Sequence, residues 1–549
     1  MSTASDLAGA WLTVDGGDDG MAVHLLPAGR RASALADGLS LPLLHSLPPI
    51  ERPLSVPGIA AAPTSHMDVA LDNAGGQLTR LWGQRPPLRR AARVQTARGV
   101  LFAGVVTRVS MGQQVRLSLE AGMDRPLSDN LPLRTSAVWG GWREVRVLPW
   151  GWGQVTLTPI QYSSDQRVFF LLDHPIAGVD EVKRDDVATP AWAWSNGVDS
   201  TGRAVAFLEL AEPLAEGERL AVTLRGRLHP DTGRLLQTPA EILHDVLAHL
   251  AGAPVQWADF DDYRAETAGL VLGGLLDDNS ITVRAAVDGL MQSVGSAWSA
   301  AMPGVALGWP ALPDDNAPAL RADALSASGL QAEAEATGLC TVLRVLYDWD
   351  HAARRYRRAV QLRAPDAVRE YGALERDWPA PWLRSPRHAE ALGRRLLADL
   401  ARPRWRVGWQ QPWADVPTGA WVQLEHPLAP VTGRHRLLAA RLDVSSATLG
   451  CEIEAPVGDA PHIDTERLSE AFDPVIQPGI TVEVADSEII FTARDEQGKV
   501  LPGARITLNG GATRVADAAG RVSFPVQRGR HVLLIEADGY QASEVVVVI

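Results

Sequence analysis

Apolar and polar side chains alternate in two neighbouring segments of the first quarter of the chain. The segments are residues 100–109, within GVLFAGVVTRVS, and residues 115–119, within QQVRLSLEA. Apolar residues at about every second position, many of them β-branched and separated by short glycine breaks, are typical of half-buried antiparallel strands. The pattern predicts a small β-barrel, and we assign residues 1–135 to this N-terminal domain.

A second group of strand-like segments follows the predicted barrel. The segments VTLTPI, RVFFLLD, AVAFLEL and RLAVTLRGRL are rich in β-forming residues. Turn-forming pairs occur at Asn196-Gly197, Thr201-Gly202 and Glu216-Gly217, and such pairs favour tight turns between strands. Residues 136–236 are therefore predicted to form a β-rich module.

The apolar period then changes to that of amphipathic helices. Thr238, Pro239 and Glu241 combine an N-cap, a first-turn proline and a capping-box acid, and they predict a helix that ends before Gly252. A second helix is predicted to begin near Ser280. The apolar faces comprise Ile242, Leu243, Val246, Leu247 and Leu250 in the first helix, and Val283, Val287, Leu290, Met291 and Val294 in the second. We assign residues 237–337 to a small α/β insertion with short amphipathic helices.

Strand patterns return in residues 338–455. Residues 339–363 predict a hairpin, and a third helix is predicted after the cap Ser385. Its apolar stripe comprises Ala389, Leu392, Leu396 and Leu400. The later segment RLLAARLDVSSATLGCEIEA echoes LFAGVVTRVSMGQQVRLSLEA of the first barrel, with a slip of one residue. We therefore predict a second barrel-like domain with one helix over residues 338–455.

The last part of the chain is predicted to be a separate unit. Residues 456–478 are acidic and bounded by prolines, which is typical of a linker. Residues 479–549 contain five strand patterns divided by glycine turns, which predicts an Ig-like β-sandwich with Phe491 and Phe524 in its core. The chain as a whole is predicted to be mainly β, with α+β insertions.

Composition and charge narrow the classes of protein. With 46% hydrophobic and 21% charged residues, the 549-residue chain is typical of folded proteins with several domains. It contains neither an apolar run of membrane-spanning length nor an N-terminal signal pattern, so we expect synthesis in the cytoplasm. The formal net charge of −13 argues against a protein that wraps nucleic acid, whereas a duct through which DNA slides would tolerate it.

The sequence contains no recognisable catalytic or metal-binding motif. A nucleophile elbow, a Walker loop, an HExxH pair and a dinucleotide fingerprint are all missing. The acidic pair Asp185-Asp186 is predicted to lie in a turn, and His244 and His249 are five residues apart, off the spacing that places two ligands on one α-helical face. The only two cysteines, Cys340 and Cys451, are predicted to be buried thiols. We predict no catalytic, cofactor or metal site, and therefore no enzyme.

Four tryptophans are the most conspicuous chemical feature of the chain. Trp139, Trp142, Trp150 and Trp152 lie in AVWGGWREVRVLPWGWG, with glycines between them. They could pack a domain junction, contact another subunit or stack against sugars. Because tryptophan is favoured at the buried centres of protein interfaces, we treat the four residues as candidate interface anchors.

Two segments resemble the hub proteins at the tail tip of long-tailed, Mu-like bacteriophages. The first contains an Asp72-Asn73 turn, a Leu-Phe-x-Gly-x-Val-x-x-Val strand beginning at Leu101, and a Leu-x-Leu-Glu-Ala strand beginning at Leu117. The second is a Thr-Val-Arg-x-Ala-x-Asp helix beginning at Thr282, followed by Gly-x-x-Trp. The resemblance covers residues 66–455 and implies two hub-type β-barrels. The turns of residues 479–549 resemble those of the carboxypeptidase-regulatory, transthyretin-like sandwich family.

The hub resemblance implies a structural protein of the virion. Such a protein forms a ring that closes the tail tube and passes DNA without binding it tightly, and the two echoing barrels favour a homotrimer. The implied partners are the distal tail or tube protein, the tape-measure protein, and tail fibre or other tip proteins. Residues 479–549 could in addition contact a host receptor.

Two other functions are consistent with parts of the sequence. The tryptophans and the sandwich would also suit a secreted or surface carbohydrate-binding adhesin. A tail-associated cell-wall hydrolase is a further alternative, which a peptidoglycan turnover assay would detect.

Overall fold

The structure of the chain is a computed structural model. It describes residues 10–15, 22–27, 38–53, 66–96, 99–121, 124–139, 145–215, 217–253, 255–299, 306–308, 319–335, 338–414, 416, 419–468, 479–485, 488–494, 500–508, 513–518, 520–524, 530–536 and 543–548. The chain divides into a large unit, Met1–Ala353 with Arg357–Glu470, and a small unit, Ala471–Ile549 with Arg354–Tyr356. The described residues form strands β1–β37 and α-helices α1–α7, numbered in chain order. None of these helices is long and apolar enough to cross a membrane.

The large unit begins with a closed barrel. The barrel strands are β1 (Trp11–Val14), β2 (Ala22–Pro27), β3 (Gly38–Ser46), β5 (His66–Asp72), β6 (Ala91–Thr96), β7 (Gly99–Ser110) and β8 (Gln114–Ala121). They close in the order β1-β2-β3-β5-β8-β7-β6, and only β2 and β3 run parallel. Val115, Leu117 and Leu119 of β8 are fully buried, as their alternation in the sequence predicts. The predicted N-terminal β-barrel is therefore confirmed.

The Asp-Asn turn singled out in the sequence holds a helix against this barrel. The side-chain oxygen of Asn73 accepts a hydrogen bond from Leu78 N–H at 3.0 Å, and its amide donates to Gly112 O at 2.8 Å. Asn73 thereby connects the start of α1 (Gln77–Trp82) to the turn between β7 and β8. Gly76 precedes α1 with φ of 67°, a left-handed conformation that glycine adopts at little cost.

A second sheet of seven strands packs against the barrel. Its strands are β4 (Ile50–Pro53), β21 (Ala319–Asp323), β22 (Ser328–Glu335), β26 (Arg404–Pro412), β27 (Trp421–Glu425), β28 (Gly433–Asp443) and β29 (Thr448–Pro456). The order is β21-β27-β28-β29-β26-β22, with β4 paired to β28. The edge strands β21 and β22 are joined by a short turn and yet do not pair, so the sheet is an incompletely closed barrel.

The closed barrel and the curled sheet share one hydrophobic core. A single cluster of buried side chains contains Leu12, Val69 and Leu117 of the barrel together with Val422 and Ile453 of the curled sheet. The two echoing sequence segments form corresponding elements, because β7–β8 and β28–β29 are both antiparallel hairpins.

Residues 154–227 contribute a two-sheet sandwich to the large unit. One sheet has the order β10-β17-β13-β14 and the other β11-β12-β16-β15. The strands are β10 (Gln154–Leu157), β11 (Ile160–Gln161), β12 (Val168–Leu172), β13 (Ile176–Arg184), β14 (Val187–Ala188), β15 (Trp192–Val198), β16 (Ala204–Leu210) and β17 (Leu220–Arg227). The predicted turn at Asn196-Gly197 is wrong, because both residues lie within β15. The chain reverses at Asp199 to Arg203 instead, where the Asp199 carboxylate accepts from the Thr201 and Arg203 N–H groups.

The helices of the large unit cover a third group of strands. These strands are β9 (Trp150–Trp152), β18 (Gly274–Leu276), β19 (Ala297–Ser299), β20 (Ala306–Gly308), β23 (Val342–Asp350), β24 (Arg355–Arg363), β25 (Glu375–Ala380) and β30 (Asp464–Leu468). The helices are α2 (Asp124–Ser128), α3 (Pro239–Asp245), α4 (Asp261–Thr267), α5 (Val283–Val294), α6 (Pro365–Tyr371) and α7 (Pro386–Leu400). Their apolar faces share one buried cluster, which includes Trp152, Phe260, Met291 and Leu397.

The three helices predicted from sequence are present in this region. Glu241 accepts from the Thr238 N–H group at the start of α3, as a capping box requires. The five predicted core residues of α5 are all buried. In α7 the buried stripe contains Leu397, and Leu396 is only partly buried.

Two predicted segments are arranged differently in the structure. Residues 338–455, predicted as one domain, supply β23–β25 and α7 to the helix-covered group and β26–β29 to the curled sheet. Within the predicted linker 456–478, Asp464–Leu468 form β30 and pair with β24. Acidic composition concealed this strand, since an edge strand is exposed along one side and tolerates charge.

The small unit contains two antiparallel sheets. The strands are β31 (Gly479–Ala485), β32 (Glu488–Arg494), β33 (Arg505–Leu508), β34 (Thr513–Val515), β35 (Arg521–Phe524), β36 (Arg530–Glu536) and β37 (Ser543–Val548). One sheet has the order β31-β32-β35 and the other β34-β33-β36-β37. Phe491 and Phe524 are buried with ring centroids 5.9 Å apart, which confirms their predicted place in the core.

Candidate functional site

Two of the four candidate tryptophans lie at a junction inside the large unit. Trp150 and Trp152 flank Gly151 in β9, which pairs antiparallel with β18. Trp150 is 5% exposed and Trp152 is fully buried, so their rings are already covered by this chain. Of the possibilities raised by the sequence, packing at a junction describes these two rings in the single chain. Trp139 ends a 3-10 turn, and Trp142 lies outside the described residues.

The glycines of this segment allow backbones to approach one another at the junction. A Cβ atom on Gly153, whose φ is +57°, would lie 1.9 Å from Leu272 O. A Cβ atom on Gly226 would lie 2.2 Å from Gly151 O. Side chains at these positions would push the strands apart, so the tryptophan-glycine pattern reflects close packing of backbone against backbone.

Charged groups surround the two indoles. The Trp152 indole N–H donates to Asp245 Oδ2 at 2.8 Å, and Arg227 Nε donates to the same oxygen at 2.6 Å. The guanidinium of Arg227 also lies 4.3 Å from the centre of a Trp150 ring. A buried carboxylate is tolerable when it is paired and hydrogen-bonded in this way.

His174 completes the junction as a neutral side chain. Its Nε2 accepts from Gly151 N–H at 3.1 Å, and its Nδ1 lies 2.9 Å from Pro175 O. The ring therefore carries its proton on Nδ1. Burial, together with the positive charge of Arg227, lowers the pKa of His174 to about 3.

A second buried charge network holds the end of the sandwich. Asp173 and Asp199 have fully buried side chains, and both accept hydrogen bonds from the guanidinium of Arg134. Arg203 lies 3.6 Å from Asp173. The hydrogen bonds to Asp173, opposed by burial, raise the pKa of Arg134. The network joins three separate loops, which is a structural role.

His244 and His249 lie close together, although α-helical spacing predicts that they point in different directions. Residues Val246–Leu250 form a π-helical turn, in which Ala251 N–H donates to Val246 O. Five residues make about one turn of such a helix, so the rings of His244 and His249 are 5.9 Å apart. His244 also stacks on Trp257 at 3.7 Å. The spacing argument missed this contact because the sequence shows no signal of the π turn.

A cleft lined by both polar and apolar side chains opens beside the sandwich. Its volume is about 1000 Å³, and its lining includes Thr156, Lys183 and Asp350 together with Ile160 and Leu214. The lining charges are largely paired: Arg219 lies 3.2 Å from Asp186, and Arg357 lies 2.6 Å from Asp350. The one lining aromatic side chain, Phe169, is 4% exposed, so the cleft presents no ring for sugar stacking.

The described residues do not assemble a metal-binding group of three or more His, Cys, Asp or Glu side chains. Cys340 and Cys451 are both buried, as expected. Burial raises the pKa of Cys451 to about 12, which keeps this thiol protonated and unreactive.

Comparison with known proteins gives remote likenesses only. No model of a known protein family and no curated protein matches the chain. The chain is similar to a protein in the virion of a native gene transfer agent particle, with 16% identity and a TM-score of 0.43 over 61% of this chain and 90% of the other. It is also similar to a tail protein from Neisseria meningitidis MC58, with 8% identity and a TM-score of 0.40 over 81% and 95% of the two chains. A third similarity is to the 43 kDa tail protein of prophage MuSo2 from Shewanella oneidensis, with 8% identity and a TM-score of 0.38 over 81% and 97%. These values are too low to assign a function, which we therefore argue from the residues and geometry of this chain.

Proposed function

We propose that the protein is a structural component of a bacteriophage tail tip or baseplate, where it forms a hub ring that closes the tail tube. The observation that carries the proposal is the closed barrel and the curled sheet that share one core, each with one of the echoing hairpins. Two related modules per chain, in three chains, would present six similar surfaces to a six-fold tube. Heterologous contacts whose rotation closes produce such a ring.

The proposed role is non-enzymatic and is performed in the virion after synthesis in the host cytoplasm. On one side the ring would contact the distal tail or tube protein and the tape-measure protein. On the other it would contact tail fibre or other tip proteins. Residues 479–549, within the small unit, would serve attachment to neighbouring proteins or to a host receptor.

Ring formation is tested by particle imaging of the purified protein. We expect class averages with three chains around a central opening. Monomers at assembly concentrations, or a single ring built from six chains, would contradict the proposed trimer.

The lumen is proposed to let DNA pass without holding it. A net charge of −13 disfavours the many phosphate contacts that tight binding requires. We expect no submicromolar binding of duplex DNA to the assembled ring in a fluorescence polarisation assay. Salt-sensitive binding in that range would overturn this part of the proposal.

The two alternative functions receive less support from the geometry. A carbohydrate site at the tryptophan-glycine segment would need exposed rings there, but Trp150 and Trp152 are buried. A hydrolase would release soluble fragments from peptidoglycan, and we expect no such release by the purified protein.

A further inference from the structure

Strand β15 forms an unprotected edge of the sandwich. It covers Trp192–Val198 and is the last strand in the order β11-β12-β16-β15, so among the described strands only β16 pairs with it. Five of its seven residues are exposed, among them Trp194 at 36% and Val198 at 63%. A long, exposed and apolar edge is a ready template for another strand.

The direction of the free backbone groups follows from the pairing with β16. Trp192 lies opposite Leu210, and the Ala211 N–H group donates to Ala191 O. The odd-numbered residues therefore exchange hydrogen bonds with β16, because hydrogen-bonded and non-hydrogen-bonded pairs alternate in antiparallel strands. The N–H and C=O groups of Trp194, Asn196 and Val198 point away from β16. Only another polypeptide strand carries donors and acceptors at the matching spacing.

The absence of charge distinguishes this edge from the others in the described part of the chain. Residues 187–198, VATPAWAWSNGV, contain no Asp, Glu, Lys or Arg. Every other described edge strand of at least five residues carries at least one charge; these strands are β21, β22, β25, β30, β31 and β37. Edge charges oppose unwanted pairing. An edge strand without charges is suited to pair with another uncharged edge strand. Among the described edge strands of at least five residues, β15 is the uncharged one, so a second copy of this chain supplies a matching partner.

We propose that β15 pairs with β15 of a second copy of this chain, antiparallel and about a two-fold axis at Ser195. In this register Trp194 lies opposite Asn196 and Trp192 lies opposite Val198. Trp194, Asn196 and Val198 direct their backbone groups outward and form hydrogen bonds of the new ladder, whereas Trp192 contributes its C=O, because its N–H donates to Pro190 O at 3.2 Å. Trp192 beside Val198 is an aromatic and β-branched pair of the kind that stabilises antiparallel sheets. The two four-stranded sheets become one continuous sheet.

The contact does not rest on the proposed function. It is isologous and joins chains in pairs, whereas a ring needs heterologous contacts. The mass of the assembly therefore separates the two ideas. Dimers without trimers would support the β15 contact and contradict the ring. Trimers alone would support the ring and contradict the β15 contact. Six chains arranged as a pair of three-chain rings would support both, and monomers would contradict both.

Charge at the axis tests the contact directly, because Ser195 lies opposite itself. Ser195→Lys places two ammonium groups together, and Ser195→Glu places two carboxylates together. Like charges directly opposite destabilise a strand pair, so each variant should raise the dissociation constant of the two-fold contact by up to about fivefold. An equimolar mixture of the two variants should restore the wild-type affinity in sedimentation equilibrium.

The matched control is Ala332→Lys, an exposed position on the edge strand β22, which should keep the wild-type affinity. An unchanged affinity in Ser195→Lys, or no restoration in the mixture, would overturn the proposal. Misfolding cannot imitate restoration, because two misfolded variants would not recover the contact on mixing.

Cross-linking gives an independent readout. Directly opposed residues of a non-hydrogen-bonded pair have Cα atoms about 4.5 Å apart, within the range of a disulfide. The chain's own two cysteines are buried, so a cysteine introduced at position 195 provides the accessible thiol. Ser195→Cys should form a disulfide-linked dimer on mild oxidation, and Ala332→Cys should not. Equal cross-linking of the two variants would contradict the register.

Discussion

Among charged residues of the large unit, Arg134 is the one whose removal we expect to lower the free energy of unfolding most. Arg134→Met leaves the buried carboxylates of Asp173 and Asp199 without their principal cation. Breaking a buried ion pair from one side costs about 3–5 kcal/mol, so the free energy of unfolding should fall by about that amount. Tryptophan fluorescence during urea unfolding measures it. All 18 tryptophans precede residue 422, so this signal reports on the large unit.

The control for Arg134 is Arg219→Met. Arg219 and its partner Asp186 have side chains 78% and 83% exposed. Such pairs contribute about 1 kcal/mol or less, and the variant should unfold close to the wild type. If the two variants lost the same free energy of unfolding, burial of the carboxylates would not explain the contribution of Arg134 to stability.

His174 should make the large unit sensitive to acid. The folded state keeps this ring neutral down to about pH 3, whereas the ordinary histidine pKa is 6.5. Between these values the unfolded chain binds more protons, so stability falls as the pH decreases from 6.5 towards 3, by at most about 1.4 kcal/mol per pH unit. In His174→Gln, which keeps an acceptor for Gly151 N–H, the loss of stability between pH 7 and pH 5 should be smaller by about 1–2 kcal/mol.

His462→Gln is the corresponding control, since the His462 side chain is 75% exposed. Its free energy of unfolding at pH 7 should be close to that of the wild type, because exposed pairs contribute about 1 kcal/mol or less. If His174→Gln were as acid-sensitive as the wild type, the buried neutral ring would not be the source of the effect.

The sequence indicated which residues are unusual, but it did not predict what these residues contact. The tryptophan-glycine pattern indicated an unusual segment. Composition alone, however, does not distinguish an indole ring that contacts a partner protein from one that is buried in the core of the same chain. Asn196-Gly197 is a strong turn signal, and it was overridden because the Asn196 side chain makes two hydrogen bonds to the backbone of Ile176. Those bonds span residues far apart in sequence, where local signals carry no information.

At the scale of elements, helix α5 allows a matched test of capping. Thr282 Oγ1 accepts a hydrogen bond from Ala285 N–H at 3.2 Å. Thr282→Ala should therefore lower the free energy of unfolding by about 1 kcal/mol, and Thr282→Ser should preserve it. Ser385 occupies the equivalent position in α7 but its side chain makes no cap hydrogen bond. A loss in Ser385→Ala as large as in Thr282→Ala would show that the hydrogen bond is not the cause.

Helices were predictable here because their signals are local. In α3, α5 and α7 the cap residue and the apolar stripe lie within a few turns of one another, and α3 and α7 also have a proline in the first turn. Strands were found as segments, but their partners were not. The sequence contains the echo between two hairpins, yet it does not indicate that the barrel and the curled sheet share a core, since that depends on side chains hundreds of residues apart.

At the scale of the whole molecule, the position of a truncation should decide its effect. A chain that ends at Gln477 retains β30 and all residues of the large unit. A chain that ends at Pro461 loses β30, which pairs with β24, and Ile463, which packs on the core. We expect the first to unfold like the full chain by tryptophan fluorescence and the second to unfold at lower urea.

The same pair of truncations tests independence of the small unit. Among the described side chains, the buried cluster that contains Phe491 and Phe524 consists only of residues of the small unit. We expect the isolated fragment 471–549 to give dispersed amide signals by NMR. An unfolded fragment, or a lower stability of the chain ending at Gln477, would show that the two units depend on each other.

Because β4 pairs with β28, β4 cannot complete its pairing until β28 has been synthesised. Ile50–Pro53 are made early, but their partners at Ala439 to Leu442 leave the ribosome almost four hundred residues later. At a synthesis rate of about 5–20 residues per second, the wait is roughly 20–80 s. Throughout that time the apolar surface that the curled sheet will cover is exposed to solvent. Translation speed and the supply of chaperones should therefore limit the yield of correctly folded protein more than its final stability does.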